Sequence, residues 1–223
     1  MAGFLALYPD ASKEKLRSGQ LVYTALDSTW TCLITGPGVF NTAMGLGSYL
    51  EHHTPDLILN TGIAGAYEGT GLSVGDVAVA TREQYLHTGI GNGPLSLSPL
   101  PFELIPGQAD TREGIYGFDP ILTDAWAKRL DKSPSPGSVF KGPFLTVSAL
   151  TKGLVQADRI HQKFLPVMEA MEGAAAAHVC QCYRIPLIEI RAASNMAGER
   201  DKSRWDFPLA CSRVTGICRS LLG

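Results

Sequence analysis

The chain has 223 residues, of which 45% are hydrophobic and 18% charged, and this composition is typical of one globular α/β domain with a buried core. A formal net charge of −2 gives no basic field for a polyanion, which disfavours nucleic-acid binding, and no apolar run reaches the roughly 18 residues that a membrane span needs. Because the 5 cysteines are scattered and Cys180-Gln181-Cys182 is too closely spaced for a usual zinc pair, we predict free thiols in a reducing cytoplasm, with neither metal nor cofactor.

The first part of the chain predicts short strands around one helix. Residues 21–25 and 31–35 alternate in polarity and should form a hairpin about Asp27-Ser28. Asn41 is the expected N-cap of a helix through His53, with apolar positions along one face. The run 57–59 then predicts a buried strand that leads into Asn60-Thr61-Gly62.

The second part continues the alternation of strands and helices. We predict strands over 76–80, 138–147 and 187–192 and helices over 121–130, 173–183 and 209–222, with a long Gly/Pro/Ser-rich surface excursion over 89–117. This order indicates a three-layer α/β fold with a mixed central sheet and helices on both faces. No repeat or linker divides the chain, so 1–223 is expected to be a single domain.

The most informative residues are Glu172, at the start of a predicted helix, and Asn195, at the end of the strand that follows it. We expect both side chains to converge at one sheet edge, where open α/β proteins build ligand sites. A carboxylate can bind sugar hydroxyls and an amide can recognise a purine base, which suggests N-glycosidic chemistry. The alternatives are a glutamate that is favoured by the helix dipole and an asparagine that serves only as a turn residue.

Several segments together carry a family resemblance: Gly36-Pro37-Gly38-Val39-Phe40-Asn41-Thr42-Ala43, Asn60-Thr61-Gly62-Ile63-Ala64-Gly65-Ala66, Val74-Gly75-Asp76, Met171-Glu172-Gly173-Ala174 and Arg191-Ala192-Ala193-Ser194-Asn195. In this order they resemble the nucleoside phosphorylase and nucleosidase superfamily over about residues 31–222. Within it, the segment 194–206 resembles the futalosine hydrolases, which remove hypoxanthine from futalosine in menaquinone biosynthesis. The resemblance implies a homodimer or larger homo-oligomer that acts on a small purine nucleoside.

The resemblance also implies roles for particular residues. Glu172 would bind the ribose 2′- and 3′-hydroxyls while positive charge grows at the anomeric carbon, and Asn195 would stabilise the departing base. Adenine-specific members carry an aspartate at the position of Asn195, and an amide suits a 6-oxopurine instead, because it can donate to O6. The substrate-binding residues implied in addition are Met171, Gly38, Ile63, Ala64, Gly65, Leu150, Thr151, Arg200, Arg204 and Trp205.

The nucleophile is expected to be water. Phosphorylases of this type have an arginine at the position of Asn60 and a serine or threonine at that of Ile63, and without that arginine phosphate has no bidentate partner there. Futalosine carries a 5′ benzoate group, which Arg200, Arg204 and Trp205 would accommodate; the alternative is a surface salt-bridge loop with Asp201 and Asp206. The rival functions are a methylthioadenosine/S-adenosylhomocysteine nucleosidase, a purine nucleoside phosphorylase and a nucleoside-binding protein without activity.

One feature departs from the family pattern. In these hydrolases an acidic residue after the first strand activates the water, but residues 1–8 look like the helix that follows that strand. We therefore expect the strand and its acid to be encoded upstream of Met1; the alternatives are that another carboxylate activates the water or that the chain is impaired. Glu14 falls in the charged segment 13–15, which we interpret as the solvated face of a helix.

Overall fold

A computed structural model describes residues 2–6, 8–27, 29–132 and 138–222. Ser28, in the predicted hairpin turn, lies outside these ranges. The helices are α1 (Ala2–Leu5), α2 (Val39–Leu50), α3 (Pro120–Asp131), α4 (Leu154–Phe164), α5 (Gly173–Tyr183) and α6 (Phe207–Leu222). The strands are β1 (Ser12–Lys15), β2 (Leu21–Thr24), β3 (Thr31–Ile34), β4 (Ile58–Ala66), β5 (Val77–Tyr85), β6 (Ile115–Gly117), β7 (Val139–Thr146), β8 (Met168–Ala170) and β9 (Leu187–Met196).

The N-terminal strands form a separate 3-stranded antiparallel sheet in the order β1-β2-β3. The predicted hairpin is present, with Thr24 opposite Thr31. The interpretation of 13–15 as helix is wrong: these residues lie in β1, where Glu14 pairs with Val22. Every side chain of β1 is exposed, as expected for so charged a segment. Such a segment can still form a strand at the edge of the sheet, since its pairing with β2 requires no buried face.

The central sheet has 6 strands in the order β6-β5-β7-β8-β4-β9. Strand β9 also pairs antiparallel with β5, so the strands from β5 to β9 close into a ring. The pairs Glu83–Phe144, Phe144–Met168 and Met168–Ala66 run across neighbouring strands and therefore place these side chains on one face. That face carries a cluster rich in alanine, whose small side chains permit tight closure.

Helices cover the sheet on two sides, which confirms the predicted α/β fold with a mixed sheet. On one side α3 and α6 pack on Val77, Val79 and the isoleucines of β9. On the other side α2 packs against α5, and their alanine-rich contact buries Leu46, Leu50 and Ala177. Within the described ranges, the structure has no helix that is both long and apolar enough to cross a bilayer.

The element boundaries differ from the predictions in an informative way. Helix α5 begins and ends where predicted, whereas α2 begins at Val39 because Gly38, not Asn41, occupies the N-cap position. Asn41 lies inside the first turn, and its amide donates to the carbonyl of Pro37 (2.7 Å). Strands β4, β5 and β9 do not end where predicted, because they continue past Gly62, Thr81 and Ser194, respectively. The sequence analysis did not predict α4 or β8.

Candidate active site

The first contact in the candidate site lies between Glu172 and the segment that precedes α2. The backbone N–H of Gly38 donates to Glu172 Oε1 at 2.9 Å, although the two residues are 134 positions apart in the chain. Gly38 has φ 90°, a conformation that glycine adopts without steric cost. The glycine therefore orients its N–H toward the carboxylate, and the structure brings Gly38 and Glu172 together.

A buried arginine supports the other side of the same carboxylate. Arg191 Nη1 contacts Glu172 Oε2 at 3.1 Å, and Arg191 Nε contacts Glu189 Oε1 at 2.8 Å. The side chain of Arg191 is only 4% exposed, whereas that of Glu172 is 17% exposed. Glu172 is thus the member of this cluster that a ligand can reach, and its position is set from within the protein.

Two further carboxyl groups lie beneath the start of α5. Glu83 and Glu189 are both fully buried, and a Cβ on Gly173 would fall 2.5 Å from Glu189 Oε2 and closer still to Glu83 Oε1. Thr146 donates its hydroxyl to Glu83 Oε2 (2.8 Å) and accepts from the N–H of Ala174 (2.7 Å). The acids are therefore connected to the first turn of the helix that begins directly after Glu172.

Burial dominates the ionisation of this cluster. It raises the pKa of Glu83 well above the usual range, and the neighbouring charge of Glu189 raises it further. Burial also raises the pKa of Glu189, but the cation of Arg191 opposes the shift. For Arg191, burial works to lower the pKa, yet the carboxylates of Glu189 and Glu172 outweigh it and the net shift is upward. Arg191 is consequently a permanent cation at this position.

Asn195 lies at a β-bulge. Ala64 pairs with Ala193 and Gly65 pairs with Asn195, so Ser194 has no partner residue in the register with β4. Such a bulge rotates the side chains that follow it. The Asn195 amide accepts from Ser194 Oγ (2.8 Å) and donates to the Met196 carbonyl (2.9 Å), which leaves one N–H and one lone pair for a ligand.

Glu172 follows β8 and Asn195 lies near the end of β9, and these two strands run in opposite directions. Strand β8, which ends just before Met171, runs antiparallel to β4, whereas β9 runs parallel to it. The two side chains therefore do not follow the ends of parallel strands. Glu172 lies at the level of Arg191 and Gly62, and Asn195 pairs with Gly65, about 10 Å further along β4 at roughly 3.3 Å per residue.

A buried network surrounds Asn195. The amide nitrogen of Asn195 is 3.3 Å, and Cγ of Glu169 3.5 Å, from the point where a Cβ on Gly65 would stand. Glu169 accepts from the Tyr67 hydroxyl (2.6 Å) and from the Thr151 hydroxyl (2.5 Å). These bonds fix the loop at Thr151 beside the end of β9, so Gly65, Thr151 and Asn195 form one group.

The segment after Asn195 divides into an inner and an outer part. Arg200 donates to the Thr151 carbonyl, and its guanidinium lies 5.8 Å from the ring centroid of Trp205. Arg204 instead projects to the surface with 70% of its side chain exposed, and it pairs with Glu199 at 2.9 Å. The surface salt bridge thus involves Glu199, because the carboxylates of Asp201 and Asp206 accept backbone N–H groups.

The remaining predicted site residues differ in their burial and in the clusters on which they pack. Met171 packs on the cluster that contains Tyr67 and Ala197. Ala64 is buried and Leu150 is 50% exposed. Ile63 packs on the core cluster beneath α3 and α6, so its side chain contributes to the core. A cavity of about 180 Å³ lies elsewhere, between Phe118 and α5, and none of the predicted site residues lines it.

Sequence reasoning missed the buried acids. The sequence analysis did not predict a role for Glu83, Glu189 or Glu169. Arg191 entered it only as the first residue of the motif at 191–195. Their signal is a charged residue within an apolar strand, as in Ile188-Glu189-Ile190-Arg191. Since unpaired charges are almost never fully buried, such a pattern predicts that the charges meet partners inside the fold.

Comparison with known proteins gives consistent results. The family model described as the phosphorylase superfamily matches residues 4–222. A futalosine hydrolase from Thermus thermophilus is 32% identical over 190 residues, which cover 85% of this chain and 80% of that protein. A 5′-methylthioadenosine/S-adenosylhomocysteine nucleosidase from Maridesulfovibrio salexigens is 30% identical over 171 residues, covering 76% of this chain and 69% of that protein.

Solved structures show the same fold. A 5′-methylthioadenosine/S-adenosylhomocysteine nucleosidase from Neisseria meningitidis, in complex with methylthio-immucillin-A, superposes with a TM-score of 0.79 at 20% identity and covers 100% of this chain and 95% of that one. The corresponding nucleosidase from Colwellia psychrerythraea, in complex with adenine, gives a TM-score of 0.81 at 20% identity, with coverages of 100% and 91%. At this identity the likeness supports the fold alone.

Proposed function

This chain belongs to the phosphorylase superfamily, and from that membership we propose that it hydrolyses the N-glycosidic bond of futalosine, a 6-oxopurine nucleoside, to release hypoxanthine. The reaction class follows from its curated relatives, which are named hydrolases or nucleosidases. The 6-oxopurine specificity is our inference from Asn195. It is supported by the 32% identity to a futalosine hydrolase.

In this proposal Glu172 binds the ribose hydroxyls. It is the only carboxylate of the buried cluster around Arg191 that retains exposure, and Gly38 and Arg191 hold its oxygens in place. A carboxylate that is fixed before the substrate arrives stabilises positive charge as it develops on the sugar. This interaction strengthens toward the transition state and therefore contributes to turnover rather than to ground-state binding alone.

Asn195 recognises the base. Its free N–H can donate to O6 of hypoxanthine, while Gly65 and the loop at Thr151 line the same end of the site. The offset of about 10 Å along β4 between the levels of Glu172 and Asn195 allows a ribose at one end and a purine at the other. Met171, which directly precedes Glu172, is the residue against which the sugar would pack in this proposal.

Water is the acceptor in this proposal. Asn60 supplies no cation, and Arg191, the guanidinium beside Glu172, is already bound to the carboxylates of Glu172 and Glu189. A guanidinium that is so compensated has little affinity left for phosphate. Base release should therefore be independent of added phosphate.

A second candidate is a methylthioadenosine/S-adenosylhomocysteine nucleosidase, which is favoured by the relative at 30% identity. The two functions differ in the base. The deciding experiment incubates the chain separately with futalosine, inosine and methylthioadenosine, with and without phosphate, and measures free hypoxanthine and adenine. Adenine release in excess of hypoxanthine release would favour the second candidate.

We also propose that the chain self-associates through α2. Phe40 is 86% exposed and Met44 is 47% exposed on this helix, an unusual pair of apolar side chains for a free surface. A second copy of the chain would bury them. Light scattering should give at least twice the monomer mass, and Phe40→Glu should reduce that mass.

A further inference from the structure

We propose that Glu83 and Glu189 hold one proton between them, and that this shared proton fixes Arg191 and, through Arg191, the orientation of Glu172. Glu83 and Glu189 are positioning residues, since both are fully buried and neither is placed to touch a ligand. The inference depends on the proposed function only for the role of Glu172 toward the ribose.

The charges around Arg191 require the proton. Its guanidinium contacts the carboxyl groups of Glu189 and Glu172, and Glu83 lies near enough for its charge to act on Arg191. With every acid ionised, the cluster would carry excess negative charge, and two of the carboxylates would lie in a fully buried space. Like charges at such a site cannot both remain ionised, so one carboxyl group retains its proton.

The hydrogen bonds assign that proton to Glu83. Glu83 Oε2 accepts from Thr146, and Glu189 Oε1 accepts from Arg191. The other oxygen of each group, Glu83 Oε1 and Glu189 Oε2, has no partner among the described residues, and both face the point where a Cβ on Gly173 would stand. A proton on Glu83 Oε1, donated to Glu189 Oε2, satisfies both atoms at once.

The pKa shifts of the two acids agree with the assignment of the proton to Glu83. Burial and the charge of Glu189 raise the pKa of Glu83 well above the usual range, whereas Arg191 restrains the rise for Glu189. Glu189 therefore remains the anion that orients Arg191, and Arg191 Nη1 remains directed at Glu172. The absence of a Cβ on Gly173 leaves room for the pair, and Thr146 links it to α5.

Other titratable groups around the pair are few in the described structure. Cys180 on α5 is near Glu189; burial, followed by that negative charge, raises its pKa to about 12, so the thiol stays neutral. Glu172 and Arg191 complete the set. Raising the pH should therefore first remove the shared proton from Glu83. The new negative charge on Glu83 repels the carboxylate of Glu189 and weakens the ion pair between Glu189 and Arg191. We therefore expect kcat to decrease at alkaline pH.

The test compares two isosteric variants of the full chain. Glu83→Gln keeps a donor toward Glu189, so we expect kcat for futalosine to fall by no more than about three-fold and the alkaline decrease to disappear. Glu189→Gln removes the anion that orients Arg191, and we expect a loss of about 100-fold in kcat with a smaller change in KM. Equal losses in the two variants, or an alkaline decrease that persists in Glu83→Gln, would overturn the proposal.

An infrared measurement tests the proton without any activity. The wild-type chain at neutral pH should show the carbonyl stretch of one protonated carboxyl group, and Glu83→Gln should lack it. A spectrum without that band, or one in which the band remains in Glu83→Gln, contradicts proton sharing even if either variant were inactive. If the wild-type chain releases no base but the band behaves as expected, the proposed function fails and the shared proton stands.

Discussion

At the scale of single residues, the proposed base specificity depends on which hydrogen bonds the Asn195 side chain can donate. One N–H of its amide is bound to the Met196 carbonyl, and the other is free to meet an oxygen at position 6 of a purine. An aspartate at this position would need a proton to donate at all, and its second oxygen would only accept. We therefore propose that the identity of this side chain contributes to the choice between a 6-oxopurine and a 6-aminopurine.

Asn195→Asp tests this specificity. We expect kcat/KM for futalosine to fall by about 100-fold and the ratio of adenine to hypoxanthine release to rise, because a site that hydrogen-bonds its substrate strongly discriminates against the wrong donor pattern. Measuring kcat/KM for futalosine and methylthioadenosine in both proteins checks it. An unchanged ratio would mean that Asn195 does not contact the base.

Glu172→Gln tests the proposed ribose contact. The amide keeps the shape but loses the charge, so kcat should fall by about 100- to 1000-fold while KM changes little. Glu14→Gln is the matched control, because Glu14 is exposed on β1 and should retain the wild-type rate. Near-normal turnover of Glu172→Gln would remove this residue from the site.

At the scale of elements, α5 begins directly above the buried acids. Its first residue, Gly173, has no space for a side chain between Glu83 and Glu189. Gly47 in α2 is the opposite case: nothing lies within 4 Å of a Cβ built there. Packing therefore requires a glycine at position 173, whereas no neighbouring atom requires one at position 47.

Substituting both glycines by alanine separates packing from helix propensity. Gly173→Ala should lower the free energy of unfolding by about 1–3 kcal/mol through steric conflict. Gly47→Ala should raise it by up to about 1 kcal/mol because alanine favours the helix. Urea denaturation of both variants measures the difference, and equal effects would refute the packing argument.

The same elements show how far the sequence could predict the fold. The alanine run of α5 and the alternating β2–β3 hairpin are local patterns, and both were predicted with nearly correct bounds. β8 is only 3 residues long and exists through its pairing with β4 and β7, a contact between distant segments that no local pattern contains. The closure of the sheet through β5 and β9 is non-local for the same reason.

The sequence indicated only part of the candidate site. Motif resemblance predicted Glu172, Gly38 and Asn195 as site residues, and of these the structure brings Gly38 to Glu172. The acids behind them were missed, because Glu83 and Glu189 lie 106 positions apart and meet only once the ring is closed. The antiparallel course of β8 relative to β9 was also not evident from a sequence in which strands alternate with helices.

At the scale of the whole molecule, the buried pair should make stability depend on pH. The pKa of Glu83 is raised in the folded state, so the fold keeps a proton that the unfolded chain releases above about pH 4.3. The resulting contribution is fully present below that pH and is lost as pH rises through the folded-state pKa. The slope can reach about 1.4 kcal/mol per pH unit for one proton.

Thermal unfolding of the wild type and Glu83→Gln from about pH 4 to about pH 9 measures this contribution. The wild-type Tm should decrease more steeply toward alkaline pH than that of the variant, because glutamine has no proton to lose. Parallel curves would show that Glu83 is ionised in the folded chain throughout this range, as it is in the unfolded chain, and would contradict the argument.

The most direct test of the central claim is the identity of the base released. The chain is incubated with equimolar futalosine and methylthioadenosine without phosphate, and free hypoxanthine and adenine are quantified over time. We predict hypoxanthine in excess by about 100-fold or more, with no increase on adding phosphate. Predominant adenine, or release that requires phosphate, would contradict an enzyme that uses water to free a 6-oxopurine recognised by Asn195.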